Sequence, residues 1–285
     1  MAPQLPPLYV TDLDGTLIRD DLTLSAWARA ELIALLEEGL LLTVATARSI
    51  ASLSAILGDV PFRLPVVEFG GAFLTDYRTR RHTLVNAIDH GLGEEVCGLI
   101  NRTGLQPFVS AWDGTRDILY YRGITNAGEN AYYQERLALK DDRLRQVDDL
   151  TIGLRDQVVC FTLIEREAAL ADVAGELSAR FGPALQLATY AARYSPGWHF
   201  LSIHDALATK ENGIRALQKA HGLEGAPLVV FGDDMNDRGM FRVATHGVAV
   251  SNARPEIKAL AHEIIGSNQE DSVVGWLRGK GAWRP

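Results

Sequence analysis

The sequence predicts an α/β protein: a doubly wound parallel sheet interrupted by an inserted α+β segment. Three observations predict it. Apolar runs such as Leu40-Leu-Leu-Thr-Val-Ala45 and Pro227-Leu-Val-Val-Phe231 have the pattern of strands buried on both faces, as in parallel sheets. Toward both ends of the chain such runs alternate with helical stretches, a βαβ rhythm that implies right-handed crossovers. Between these parts the rhythm breaks near Thr83 and resumes after Ala206, with hairpin signals in the middle. The expected organisation is a core of residues 1–82 and 207–285 with an insert of residues 83–206.

Taken in order, Leu8-Tyr-Val10 forms a buried strand that ends at Asp12-Leu-Asp-Gly-Thr-Leu17. Ser25 caps a helix that runs to residue 38, where Gly39 ends it. The apolar run 40–45 is the second strand, followed by Thr46-Ala-Arg48. Ser49 opens a short helix stopped by Gly58, and 65–69 is a third strand ending at Gly70-Gly71. In the insert, 94–102 reads as a helix, and strands over 107–110 and 118–121 flank the turn Trp112-Asp-Gly-Thr115. A helix over 129–139, a strand over 158–164, a helix over 166–180 and strands over 185–190 and 199–203 complete it. Beyond it come a helix over 210–221, a strand over 227–231 and the acidic loop Gly232-Asp-Asp-Met-Asn-Asp237. A strand over 247–250, helices over 255–261 and 271–277, and a loose tail from Gly279 finish the chain.

Bulk properties narrow the function. The 285 residues are 47% hydrophobic and 22% charged, an ordinary globular composition. Thirty-six acidic residues against 28 basic ones give a net charge of −8. That balance argues against nucleic acid or an anionic membrane as partner, while a small phosphorylated substrate needs only a local positive site. No apolar run reaches the roughly 20 residues of a membrane span, and the first residues lack the pattern of a signal peptide. Cys97 and Cys160 sit in no Cys-x-x-Cys pair, which reads as buried thiols in a reducing cytoplasm.

Polar groups gather at the expected strand ends: Asp12 and Asp14, Thr46, the start of the helix at Lys210, and Asp233, Asp234 and Asp237. In an open α/β sheet that edge is where ligands bind. Carboxylates clustered there repel one another unless a hard cation sits among them. Mg²⁺ takes one or two carboxylates together with waters and a substrate phosphate. Lys210 and the Thr46 hydroxyl suit the remaining phosphate oxygens, the set that phosphoryl transfer needs. Asp12 then reads as a nucleophile on phosphorus, and Asp14 as the acid and base for the leaving oxygen and the attacking water.

These residues carry a resemblance. Asp12-Leu-Asp-Gly-Thr-Leu17, Ala45-Thr-Ala-Arg48, Lys210 and Gly232-Asp-Asp-Met-Asn-Asp237 are similar to the four motifs of the haloacid dehalogenase superfamily, in order. Asn252-Ala253 and the large insert resemble its Cof-type sugar-phosphatase branch, with an α+β cap. The resemblance implies a Rossmann-like core, a mobile cap and Mg²⁺-dependent hydrolysis of a small phosphorylated metabolite. It implies that Thr46 touches the phosphoryl group and that Lys210 steadies nucleophile and phosphate. It also implies that Asp233, Asp12 and the backbone oxygen of Asp14 hold the metal, with Asp237 in support. Arg48, Asn236 and Asn252 become substrate contacts, and Asp234 a variable position. The chain departs from the pattern at Ala47, where the branch has Gly, and at Gly70-Gly71, where relatives have Asn-Gly.

Plainer readings stand beside these. Thr46 and Asn252 could cap the helices that follow them. Lys210 could be a helix-surface lysine. Trp112, Tyr120 and Trp198 read as packing. His199 and Arg193 are candidate substrate contacts where the insert returns to the core. Competing functions are a phosphomutase or phosphotransferase using the same aspartyl-phosphate and, from a different class, a receiver-like signalling module. Dehalogenation has no use for Asp14 or for the acids of the late loop.

Overall fold

The computed structural model describes residues 5–192 and 195–280. The chain divides into two compact units, one of residues up to 84 together with 209 onward, the other of residues 85–208.

The first stretch runs β1 (Leu8–Thr11), α1 (Ala26–Glu37), β2 (Leu42–Val44), α2 (Ile50–Leu57) and β3 (Val66–Glu68). Both helices start where a serine can accept from their first turn: Ser25 from the Ala28 amide and Ser49 from that of Ser52. Two further strands, β4 (Phe73–Thr75) and β5 (His82–Val85), join β3 in a three-stranded sheet. They are too short for period-two alternation to reveal. Strand β5 runs into the first border, since the second compact unit begins at residue 85 and ends at residue 208.

The insert runs α3 (His90–Thr103), β6 (Phe108–Trp112), β7 (Asp117–Tyr121), α4 (Ala127–Ala138), β8 (Leu144–Gln146), β9 (Gln157–Glu165), α5 (Glu167–Phe181), β10 (Leu185–Ala191) and β11 (His199–Asp205). Its six strands lie in the order β10-β11-β9-β6-β7-β8, antiparallel except for β7 with β8. Alternation sends Val109, Phe161, Leu201 and Ile203 into one core with residues of α3 and α5. It sends Phe108, Leu119 and Ile164 into a second, smaller cluster with Tyr132, Tyr133 and Trp198. Helix α3 starts earlier than expected because the Asp89 side chain caps it, accepting from the Leu92 amide. Cys97 and Cys160 are free and buried.

The return runs α6 (Lys210–Ala220), β12 (Leu228–Gly232), α7 (Arg238–Val243), β13 (His246–Val250), α8 (Pro255–Lys258), β14 (Glu263–Ile265) and α9 (Ser272–Lys280). Strand β14 was not expected, and α9 carries Gly279 and Lys280, so the loose tail does not begin there; residues 281–285 lie outside the described residues. The core sheet has the order β14-β13-β12-β1-β2 and is parallel throughout, with β3 added beyond β2 by the Ala45–Val67 bridge. Strands follow β1 outward on one side and β12 outward on the other. The crevice at the C-terminal ends of β1, β2 and β12 is therefore the switch point of a doubly wound sheet. Among the described residues, no helix is long and apolar enough to cross a membrane.

Candidate active site

Asp12 follows β1 directly and is held in register by its amide, which donates to the Phe231 carbonyl at 2.9 Å. Its side chain is buried, and its Oδ1 accepts from Lys210 Nζ at 2.5 Å. The same ammonium donates to Asp237 Oδ1 at 2.6 Å. Asp237 Oδ2 accepts from the amides of Asp233 and Asp234 at 2.8 and 3.1 Å. Both oxygens of Asp237 are thus engaged. Asp233 is fixed from the other side, its Oδ1 accepting from the Thr16 hydroxyl at 3.2 Å.

Backbone requirements explain how so many charges meet. Lys210 is the first residue of α6, whose cap is Thr209, and Gly71 lets the turn after β3 approach that cap. A Cβ on Gly71 would lie 2.1 Å from the Thr209 carbonyl oxygen, and its φ of 112° also favours glycine. Gly232 likewise admits the Asp237 carboxylate, which a Cβ there would meet at 2.6 Å. Gly71 is therefore part of what places Lys210.

The electrostatics follow from burial. Desolvation pushes the Asp12 carboxyl well above the usual carboxylate range; the Lys210 charge opposes this, while Asp237 and Asp233 add to it. Burial alone would lower the Lys210 ammonium, but Asp12 and Asp237 raise it beyond its ordinary value. The carboxylates of Asp12, Asp233 and Asp237 offer oxygens that all lie within 4.8 Å of one another. With all three ionised, the carboxylates would exceed the Lys210 ammonium by two negative charges, which one divalent cation would balance. An all-oxygen donor set of this size suits a hard cation such as Mg²⁺. Asp237 has both oxygens engaged by protein donors, so a cation would have to share or displace one of its partners.

Asp14 lies in a different setting. Its carboxylate takes a two-pronged bond from Arg48, Nε to Oδ2 at 2.7 Å and Nη2 to Oδ1 at 2.8 Å. Arg48 Nη1 also donates to Ser52 in α2 at 2.8 Å. Thr46 is buried, with its amide on the Val67 carbonyl at 2.8 Å and its own carbonyl accepting from Gly70 at 2.9 Å. Its hydroxyl accepts from the Arg48 amide at 3.1 Å, which leaves the hydroxyl proton to donate.

The remaining sequence candidates separate. Asn252 turns its Nδ2 to the Gly15 carbonyl at 2.7 Å, and its Oδ1 accepts from the Asn268 amide at 3.0 Å. Buried Asn268 continues this strut to the Ile18 carbonyl at 3.0 Å. Asn252 does not cap α8, whose N-cap is Arg254. Asn236 is exposed in the turn beside Asp237, and Asp234 pairs with Arg254 at 2.6 Å. His199 lies on β11 in the insert, 3.9 Å from Glu167, and Arg193 lies outside the described residues. Tyr120 and Trp198 belong to the two insert clusters. Sequence reasoning missed Asn268 and the pairing of Arg48 with Asp14. An Asn near the end of the chain carries no mark of the carbonyl it will reach.

Known proteins give an independent view of this arrangement. The family described as haloacid dehalogenase-like hydrolase matches residues 9–277. The 5-amino-6-(5-phospho-D-ribitylamino)uracil phosphatase YitU of Bacillus subtilis is 25% identical over 280 residues, covering 96% of this chain and 97% of its own. YwtE of the same organism, named for the same activity, is 27% identical over 286 residues, covering 93% of this chain and 95% of its own. Among solved structures, the subclass IIB sugar phosphatase BT4131 superposes with a TM-score of 0.74 at 22% identity, covering 98% of this chain and all of its own. TM0651 of Thermotoga maritima superposes with a TM-score of 0.77 at 22% identity, covering 96% and 97%.

Proposed function

The chain belongs to the haloacid dehalogenase-like hydrolase family and is a phosphoric monoester hydrolase, and from that premise we propose a Mg²⁺-dependent reaction through an aspartyl-phosphate on Asp12. The observation that carries the reading is the convergence of Asp12, Asp233 and Asp237 within 4.8 Å, with Lys210 bonded to two of them.

Asp12 attacks the phosphorus, and the bond to the substrate's leaving oxygen breaks as Asp14 supplies a proton to it. To do so Asp14 carries that proton and releases one bond to Arg48. Asp14 then takes a proton from water as the water attacks the phosphoryl group, and the Asp12 carboxylate is regenerated. Lys210 holds Asp12 in position and, with the Thr46 hydroxyl, faces the charge that develops on the phosphoryl oxygens. Asp12, Asp233 and the Asp14 backbone oxygen would hold Mg²⁺, with Asp237 orienting the Asp233 backbone. When bound, the ion neutralises phosphate charge and keeps Asp12 ionised.

The substrate class is a small phosphorylated metabolite in the cytoplasm. Two relatives are named for 5-amino-6-(5-phospho-D-ribitylamino)uracil, so that compound heads the panel to be tried. The test measures release of inorganic phosphate from the panel and from p-nitrophenyl phosphate, with EDTA and with Mg²⁺ restored. Turnover that ignores EDTA removes the metal from the mechanism. Phosphate passed to a sugar acceptor instead of to water would convert the reading to a phosphotransferase.

A further inference from the structure

A buried carboxylate outside this site has bonds that lead into it. Glu68 is the last residue of β3 and is 0% exposed. A buried carboxylate without partners is costly, and strand-end glutamates ordinarily reach water. Glu68 is held instead by polar partners, with His82 Nδ1 3.6 Å from its Oε1. Its Oε2 takes the Ile50 amide, and its Oε1 takes the Thr75 hydroxyl. Having given its proton to Glu68, the Thr75 hydroxyl accepts from His82 Nδ1 at 2.7 Å, which assigns that ring nitrogen its hydrogen. The His82 side chain is 1% exposed and stacks on Phe73 with ring centroids 3.9 Å apart.

The Ile50 bond is the one that matters for chemistry. Ile50 is the first residue of α2, so its amide is among those no helix carbonyl can satisfy, and a carboxylate suits that end of the helix dipole. Two residues earlier stands Arg48, which grips both oxygens of Asp14 and reaches Ser52 one turn into α2. Two residues earlier again stands Thr46. The start of α2 therefore sets where the guanidinium sits, and with it how the Asp14 carboxylate is aimed.

We propose that Glu68 is a positioning residue for phosphoryl transfer: its buried carboxylate anchors the first amide of α2 and, through Arg48, orients Asp14. The inference rests on the reading of Asp14 as acid and base. Glu68 touches no substrate and transfers no proton. Its effect is on the step that needs proton donation, so it depends on the leaving group. An alkoxide leaving group needs the acid; p-nitrophenolate hardly does.

The experiment compares steady-state kinetics on glycerol phosphate and p-nitrophenyl phosphate, with Mg²⁺, in the full chain. Glu68→Leu keeps the volume and removes both acceptors. It is expected to lower kcat on glycerol phosphate about tenfold, a fraction of what a general acid supplies, and on p-nitrophenyl phosphate by about twofold or less. KM changes less than kcat. Ile50→Pro is the second variant, for use if Glu68→Leu does not fold. Proline is favoured at the first helical position, Ser49 already has the extended backbone (φ −83°, ψ 161°) that precedes a proline, and only the anchoring N–H disappears with the Ile side chain. It should reproduce the leaving-group selectivity.

The decisive arm is a double-mutant cycle with Arg48→Ala. If Glu68 acts through Arg48, adding Glu68→Leu to Arg48→Ala costs nothing further in kcat. Additive losses, or equal losses on both substrates, overturn the proposal and leave the Asp14 reading standing. Wild-type kcat on glycerol phosphate in Arg48→Ala alone would overturn the reading of the Arg48–Asp14 pair, and the proposal with it.

Discussion

Asp12 and Asp14 are separated by one residue, yet they end in two unlike regions. On the β12 and α6 side, Asp12 is one of three buried carboxylates around a buried ammonium, and charge balance dominates. On the β2 and β3 side, the Asp14 side chain is 28% exposed, and the Arg48 fork grips both of its oxygens. Burial and mutual repulsion act on the first acid, and aim acts on the second. The difference teaches how environment can set two acids one residue apart to unlike tasks, which under the proposed mechanism are those of nucleophile and proton carrier.

The largest effect expected from breaking this contrast is on the Asp12 side. Asp12→Asn should lower p-nitrophenyl phosphate turnover by about 10⁴-fold, as loss of an enzymatic nucleophile does. In EDTA the same variant should melt about 2–4 °C above the wild type, the shift of roughly 1 kcal/mol in a chain this long, because one of three crowded carboxylates is gone. A lower melting temperature would show that Lys210 needs Asp12 more than the acids repel it. Next comes Lys210→Met, which strands buried carboxylates and should cost about 3–5 kcal/mol of stability in denaturant unfolding without metal. Added Mg²⁺ should recover part of that loss.

Variants on the Asp14 side should show the opposite balance. Arg48→Ala should lower kcat on an alkyl phosphate by about 10- to 100-fold while changing stability by at most about 1 kcal/mol, since the pair is partly exposed. Equal destabilisation by Arg48→Ala and Lys210→Met would erase the contrast. The smallest effect on kcat is expected at Asn252→Ala, whose cost falls on stability through the lost bonds to Gly15 and Asn268, about 1 kcal/mol each. A strut for the loop after β1 lowers kcat with KM unchanged; a KM that rises with kcat unchanged would restore Asn252 as a substrate contact.

How much of this could be read in advance depended on distance along the chain. The acids of Asp12-Leu-Asp14 and Gly232-Asp-Asp-Met-Asn-Asp237 stand directly after apolar strands, so their convergence follows once those strands are parallel neighbours. The three-residue strands β4, β8 and β14 left no periodic trace. Asn252 looked like a ligand or a cap because its amide has several uses, and only the Gly15 carbonyl, 237 residues away, selects one.

By itself the sequence determined the alternation of buried strands and helices, and with it the sheet edge at which the motif residues collect. The reason is local: apolar periodicity and strand-terminal turns are written in neighbouring residues. Tertiary structure alone decided that Arg48 grips Asp14, that Asp237 spends both oxygens inside the protein and that Glu68 reaches the first amide of α2. Those outcomes depend on rotamers and close approaches, such as Gly71 against Thr209, between segments packed together only in the folded chain.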